Sequence, residues 1–368
     1  MSDTSVSYKC PCCGAPLSFQ PGHDKVSCEY CSNEFEVKTI EKLYEQQQNL
    51  AAKTAEAQSQ GGWKTGDAGT DWDEQEAADL KVFTCESCGA EIVANENTIA
   101  TECCYCGNPT LLPQRFGGML KPDYVIPFQK TKKEAVAALQ EFYKGKKLLP
   151  DVFTANNRME DIQGLYVPFW LFDSQVAAMA EFKAHRSTVY DDEDETVTET
   201  SYYDCQRSGT AEFAKIPVDG STKMDDSYME SIEPYDYSGL QPFTTAYLPG
   251  YLAEKYDVTA EDSTVRADER VDSSMLNLLG DTLENYEGYD LEDSYVHKCN
   301  GEVKYALAPV WILTTAYQKE NYTFMMNGQT GKFVGKLPVD KGKLHKYQLI
   351  SFVISSCSLF ALSYLIFG

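Results

Sequence analysis

The residues best suited to chemistry in this chain are cysteines at a fixed spacing. Cys10, Cys13, Cys28 and Cys31 make a C-x2-C-x14-C-x2-C pattern, which returns 75 residues later at Cys85, Cys88, Cys103 and Cys106. A C-x2-C turn offers two thiolates to one ion at about 2.3 Å, and two such turns complete a tetrahedron of sulfur. The repeat therefore predicts two metal centres. Zinc (two ions) is the expected cofactor, as the usual occupant of a closed four-sulfur structural site, and iron in a rubredoxin-like site is the chemical alternative. Gly14 and Gly89 follow the first C-x2-C of each set. There the chain must turn back and bring backbone N–H groups toward sulfur. Cys12 and Cys104 stand inside the quartets, but the spacing holds without them, so they read as spare thiols. His23 reads as a solvated loop residue.

Other chemistry is sparse. The chain has no G-x-S-x-G, no P-loop, no H-E-x-x-H and no G-x-G-x-x-G after a strand. Its histidines, at 23, 185, 297 and 345, are too dispersed to suggest a dyad. Cys205 and Cys299 are single thiols in expected strands and read as buried hydrophobes. The acidic run from Asp191 to Glu195 reads as a solvated hairpin tip. No catalytic residue and no small-molecule substrate emerge, so the chain is expected not to be an enzyme. The 56 acidic and 32 basic residues give a net charge of −24. That balance argues against a general nucleic-acid binder, whose affinity rests on neutralising phosphates.

The elements that must position the cysteines follow from pattern. Residues 1–37 form the first zinc ribbon and 81–115 the second. Residues 38–80 between them hold a helix and a flexible acidic linker broken at Gly61-Gly62, with Trp63 and Trp72 folding back on the ribbons. Each ribbon is short, about 25 residues, so bound metal is expected to supply most of its folding free energy. Beyond them, 121–220 and 238–340 read as tandem versions of one strand–helix–multistrand unit. Thr131-x-x-Glu134 is a capping box, Thr259-x-x-Asp262 opens a second helix, and Asn300-Gly301 and Asn327-Gly328 are hairpin turn signals. Trp170 and Trp311 sit in matching Pro-aromatic strands and read as core anchors. The expected fold class is α+β: two N-terminal zinc ribbons, a duplicated strand–helix–multistrand region and one C-terminal transmembrane helix.

That helix is expected over 348–368, a stretch without Asp, Glu, Lys or Arg. At about 1.5 Å per residue it spans roughly 30 Å, the thickness of a bilayer's hydrocarbon core. Lys341, Lys343, His345 and Lys346 precede it as a basic collar. Under the positive-inside rule they place the bulk of the chain in the cytoplasm of a single-pass protein of the cell membrane. Thiols there stay reduced, which favours metal ligation over disulfides.

The cysteine repeats resemble the transcription-factor-IIB-type zinc ribbon. That resemblance suggests nucleic-acid contact, yet no Lys or Arg lies between Lys81 and Arg115. With KPDYVIPF at 121–128, GLYVPFWLFD at 164–173, NGQTGKFVG at 327–335 and the terminal helix, the whole chain resembles a family of bacterial, mainly Firmicute, membrane proteins. Its members are often labelled replication-restart helicase-like, although no Walker motif is present here. The resemblance implies a place in phage-shock-type envelope-stress systems that hold cytoplasmic proteins at the membrane. The expected function is thus a non-enzymatic, tail-anchored scaffold or adaptor binding a cytoplasmic or membrane protein partner. The alternative is a membrane-held nucleic-acid-binding or transcription regulator. Fragment 1–115 should carry two metal equivalents by elemental analysis, and Cys13→Ser should remove one; retention of both counts against the first quartet.

Overall fold

The structure, a computed structural model, describes residues 10–11, 17–19, 25–28, 34–40, 42, 62–95, 102–109, 111–156, 159–192, 195–224, 226–318 and 320–367. In chain order the first strands are β1 Ser18–Phe19, β2 Lys25–Ser27, β3 Glu34–Glu36 and β4 Trp63–Lys64. Then come β5 Leu80–Cys85, β6 Glu91–Asn95, β7 Leu111–Arg115 and β8 Tyr124–Val125. The two longest segments of the middle are β9 Gln163–Asp192 and β10 Glu195–Asp219, followed by the short β11 Gln241–Pro242 and β12 Leu252–Glu254. β13 Gly288–Tyr317, β14 Glu320–Asn327 and β15 Phe333–Gly335 complete the strands. The α-helices are α1 Glu74–Ala78, α2 Lys132–Tyr143, α3 Asp151–Asn156, α4 Asp226–Ile232, α5 Thr264–Gly280 and α6 Lys341–Phe367.

The expected α+β class gives way to a mostly β chain with a mixed sheet of 12 strands, beside a separate three-stranded sheet, β1-β2-β3. Residues 175–186 lie within β9, and 195–207 and 209–216 within β10, segments of 30 and 25 residues. Asn300-Gly301, expected to form a hairpin turn, lies inside β13 with Asn300 at φ 54°. Gly301 pairs there with Trp63 of β4. A Cβ on Gly301 would come within 2.8 Å of the Gly62 carbonyl, so this glycine serves close approach rather than a turn. Asn327-Gly328 does form its turn: the Asn327 side-chain oxygen accepts from the N–H groups of Gln329 and Thr330, both at 2.9 Å.

The expected transmembrane helix over 348–368 does not hold, and neither does the single-pass placement built on it. Among the described residues no helix is long and apolar enough to cross a membrane. α6 begins seven residues earlier, at Lys341, and its apolar run is interrupted by Ser351, Ser355, Ser356 and Ser358. One residue of the basic collar, Lys343, is also engaged in the fold. Lys343 Nζ donates to the Leu149 carbonyl and to Asp151 Oδ1, both at 2.7 Å, and Asp340 Oδ1 accepts from its backbone N–H at 3.0 Å. Side chains of Ala361 and of residues 363–368 lie outside the described set.

The chain forms two compact units, each assembled from separated segments. One contains Met1–Asp67, Leu171–Val218 and Ala260–Val303. Its core sets the alternating Val176, Ala178, Ala180, Phe182 and Ala184 of β9 against Val271, Met275 and Leu279 of α5. Spacing of two on the strand meets spacing of four on the helix, the two periods that bring one face of each element inward. Trp63 joins this core, edge-on to Phe172 at 4.8 Å, and its indole N–H donates to Asp268 at 2.9 Å.

The other unit contains Ala68–Trp170, Asp219–Thr259 and Lys304–Gly368. Trp72 packs here edge-on against Phe116 and Phe243. The foreseen capping box opens α2: Thr131 Oγ1 accepts from the Glu134 N–H at 3.3 Å, and Glu134 accepts from the Thr131 N–H at 2.8 Å. Ala135, Leu139 and Tyr143 then face Trp311, Leu313 and Phe324 from β13 and β14. Trp170 and Trp311 are 1% and 5% exposed, the core anchors expected of them. Phe324 is fully buried and touches the rings of Phe142, Tyr143 and Phe153. Phe324→Ala should therefore cost about 3–5 kcal/mol in equilibrium denaturation; a loss below about 1 kcal/mol would show that this cluster is not the core.

Candidate metal centre

The second cysteine quartet closes on itself. β5 ends at Cys85 and is flanked by β6 and β7, both antiparallel to it, with Phe83 opposite Ile92 on one side and Pro113 on the other. The β5–β6 connection carries Cys85 and Cys88. The chain ahead of β7 carries Cys103 and Cys106. Both turns are built alike. Gly89 N–H donates to the Cys85 carbonyl at 2.9 Å and Gly107 N–H to the Cys103 carbonyl at 2.8 Å. Gly89 and Gly107 sit at φ 70° and 69°, a left-handed conformation that a side chain would strain. Sequence spacing pointed to Gly89; the equivalent role of Gly107 emerges only from the backbone.

The four sulfurs lie within 4.8 Å of one another. Cys85 Sγ to Cys106 Sγ and Cys88 Sγ to Cys103 Sγ are each 3.6 Å. A disulfide needs about 2.05 Å, so these contacts are not sulfur–sulfur bonds. A regular tetrahedron with metal–sulfur bonds of about 2.3 Å has edges of about 3.8 Å, which these separations match. The donor set therefore fits one metal ion. Burial acts to raise the Cys85 thiol, but the backbone N–H groups of Cys88 and Ser87 and neighbouring thiols outweigh it and hold the group at about 7. Burial pushes Cys88 and Cys103 up. An ion must displace those protons, so its affinity rises with pH.

Cys104 does not join the tetrad. Its thiol is buried, and burial holds it well above the usual thiol range, so it stays protonated. It keeps the spare role its spacing suggested, and its carbonyl accepts from Thr314 at 2.9 Å. Of the first quartet, Cys10 and Cys28 are both buried, at 2% and 1% exposure. Cys13 and Cys31, like Cys12 and His23, lie outside the described residues. Cys205 is buried as expected, whereas Cys299 is half-buried and donates to the Gln175 carbonyl at 3.4 Å.

Behind the tetrad sits a carboxyl group that sequence reasoning missed. Glu254 of β12 is 1% exposed. Tyr105, between Cys103 and Cys106, donates its hydroxyl to Glu254 Oε2, and Ser221 donates to Oε1 at 2.6 Å. β12 lies antiparallel to β6 on one side and parallel to β9 on the other, which fixes the carboxyl behind the ribbon. Nothing in LAEKYD at 252–257 marks this Glu as buried, because its partners come from distant parts of the chain. Removal from water raises its pKa to about 7, with the nearby Asp257 carboxylate adding to the effect against hydrogen bonds from Ser221 and Tyr105 and the charge of Lys223.

A ribbon closed by four sulfurs and seated on a largely antiparallel β-sheet defines a class: a mostly β protein with a four-cysteine cluster able to hold a metal ion. No family model matches the chain, and no solved structure does. It belongs to the family of "Uncharacterized protein YdjG" of Bacillus subtilis (strain 168), with which it is 34% identical over 339 residues, 92% of each chain.

The Glu254 environment has a pH signature. Below about 4.5 the folded and unfolded chains both hold this proton; from there to about 7 the unfolded chain loses it first, so stability falls as pH rises. The full effect is roughly 3 kcal/mol. Glu254→Gln should remove that slope and exceed the parent's stability at pH 8, as read from urea unfolding at pH 5 and pH 8. Parallel slopes for the two proteins would refute the assignment.

Proposed function

We propose that this chain is a non-enzymatic adaptor that binds a protein partner and uses metal ribbons as structural supports. The observation that carries the reading is the closure of the Cys85, Cys88, Cys103 and Cys106 tetrad, in which all four positions around an ion are protein sulfur. Catalytic metal sites keep one position open for water or substrate, and structural sites do not. Zinc is the ion we assign, one in this tetrad and a second in the quartet of Cys10, Cys13, Cys28 and Cys31. The net charge of −24, and a second ribbon without Lys or Arg between residues 81 and 115, favour a protein surface over nucleic acid as the partner. The envelope-stress context implied by the resemblance to the Firmicute family is part of this proposal.

Cobalt substitution in the full chain tests the closed site. Its thiolate–cobalt absorption should not change when imidazole is added, and Cys106→Ser should lose one metal equivalent. Affinity isolation with the parent and with Cys106→Ser should identify partners held only by the intact ribbon. A spectrum that shifts with imidazole would indicate an open, reactive metal. DNA affinity that falls steeply with added salt would favour a nucleic-acid regulator instead.

A further inference from the structure

Close to the second ribbon, within the same compact unit, lies a cleft of about 550 Å³. It opens where β9 and β12 begin, beside the N-terminus of α2. Part of its wall is aromatic. Tyr251 stacks on Phe128 with ring centroids 4.2 Å apart and planes 6° from parallel, and Trp311 lies 6.1 Å from Tyr251. The Trp311 N–H is already committed to the Lys130 carbonyl at 2.9 Å and its side chain is 5% exposed, so the aromatic surface open to the cleft is that of the half-buried Tyr251. Gly164 permits this packing: a Cβ there would stand 2.5 Å from the Tyr251 ring.

The charged part of the lining is mainly acidic. Glu102, Glu160 and Asp161 face a single base, Lys132. Among the described residues no ion pair engages Glu102 or Glu160. Aromatic faces attract a cation lying over them, and carboxylates add charge-assisted hydrogen bonds. A hydrated metal ion gains nothing from the rings, an anion is repelled, and an apolar molecule would desolvate the carboxylates without replacing their hydrogen bonds. The volume lies in the range of small-ligand sites.

We propose that this cleft binds an organic cation, an alkylammonium or guanidinium group. Two sources share that chemistry: a free polyamine, and a Lys or Arg side chain on a peptide. The inference stands independently of the adaptor reading, since it rests on the cleft and not on the metal tetrad.

Isothermal titration of the zinc-loaded full chain with spermidine, and separately with a capped Gly-Arg-Lys-Arg-Gly peptide, tests it. Binding should be detected, and whichever probe binds more tightly identifies the source. Glu160→Gln should weaken binding about fivefold at low salt, with the effect shrinking as salt is added. Tyr251→Leu should weaken it about threefold at any salt. Zinc content and thermal unfolding monitor the fold, and Glu160, being exposed, keeps the test decisive if Tyr251→Leu unfolds. No binding of either probe at millimolar concentration, or affinity unchanged by Glu160→Gln, overturns the proposal.

Discussion

Four sulfurs held within 4.8 Å of one another are the constraint on which the ribbon depends. Without a cation, thiolates that close repel one another, and burial favours the protonated form of Cys88 and Cys103. With one, the same geometry becomes an asset, and every strand that sets it gains a reason for its register. β5 can bring Cys85 to the site only if β6 and β7 both pair with it, and the two glycine turns can aim N–H groups at sulfur only in left-handed backbone. The four-cysteine cluster and the strands β5, β6 and β7 are thus one structure.

Around it, the unit relies on ordinary burial and a polar exception. The strand segment at 165–170 is wholly buried, and with 305–313 it supplies the aromatic and branched side chains of the interior. Glu254 is the exception: a carboxyl placed where water cannot reach and held by a tyrosine and a serine. Buried polar groups of this kind add directional restraint at a cost in solvation. Here the restraint falls on Tyr105, within the second C-x2-C turn.

What the sequence disclosed, and what it hid, divides by range. Local signals were legible. The C-x2-C spacing located the tetrad, Thr131 and Glu134 announced the capping box, and Asn327-Gly328 marked its turn. Readings that needed distant partners were not. Asn300-Gly301 resembles a turn until Trp63 is known to lie against it, and Glu254 looks solvent-facing until Tyr105 and Ser221 close over it. The α+β expectation arose because segments of β9 and β10 read separately as short strands, whereas cross-strand packing joins them. The terminal helix is present, but the absence of charge over 348–368 does not reveal that Lys343 near its start is held by Leu149 and Asp151.

The Asn327 turn carries a further consequence, for the chemical ageing of the chain. Asn-Gly pairs are prone to deamidation, in which the glycine nitrogen attacks the asparagine amide and forms a cyclic imide. Asn327 is fully buried, its amide nitrogen donates to the Ile232 carbonyl at 3.0 Å, and its oxygen is held by two N–H groups. Gly328, the would-be nucleophile, donates its own N–H to the Pro309 carbonyl at 2.8 Å. The interactions that fold the hairpin therefore also keep both reacting groups occupied, so this otherwise labile dipeptide should persist for as long as the fold does.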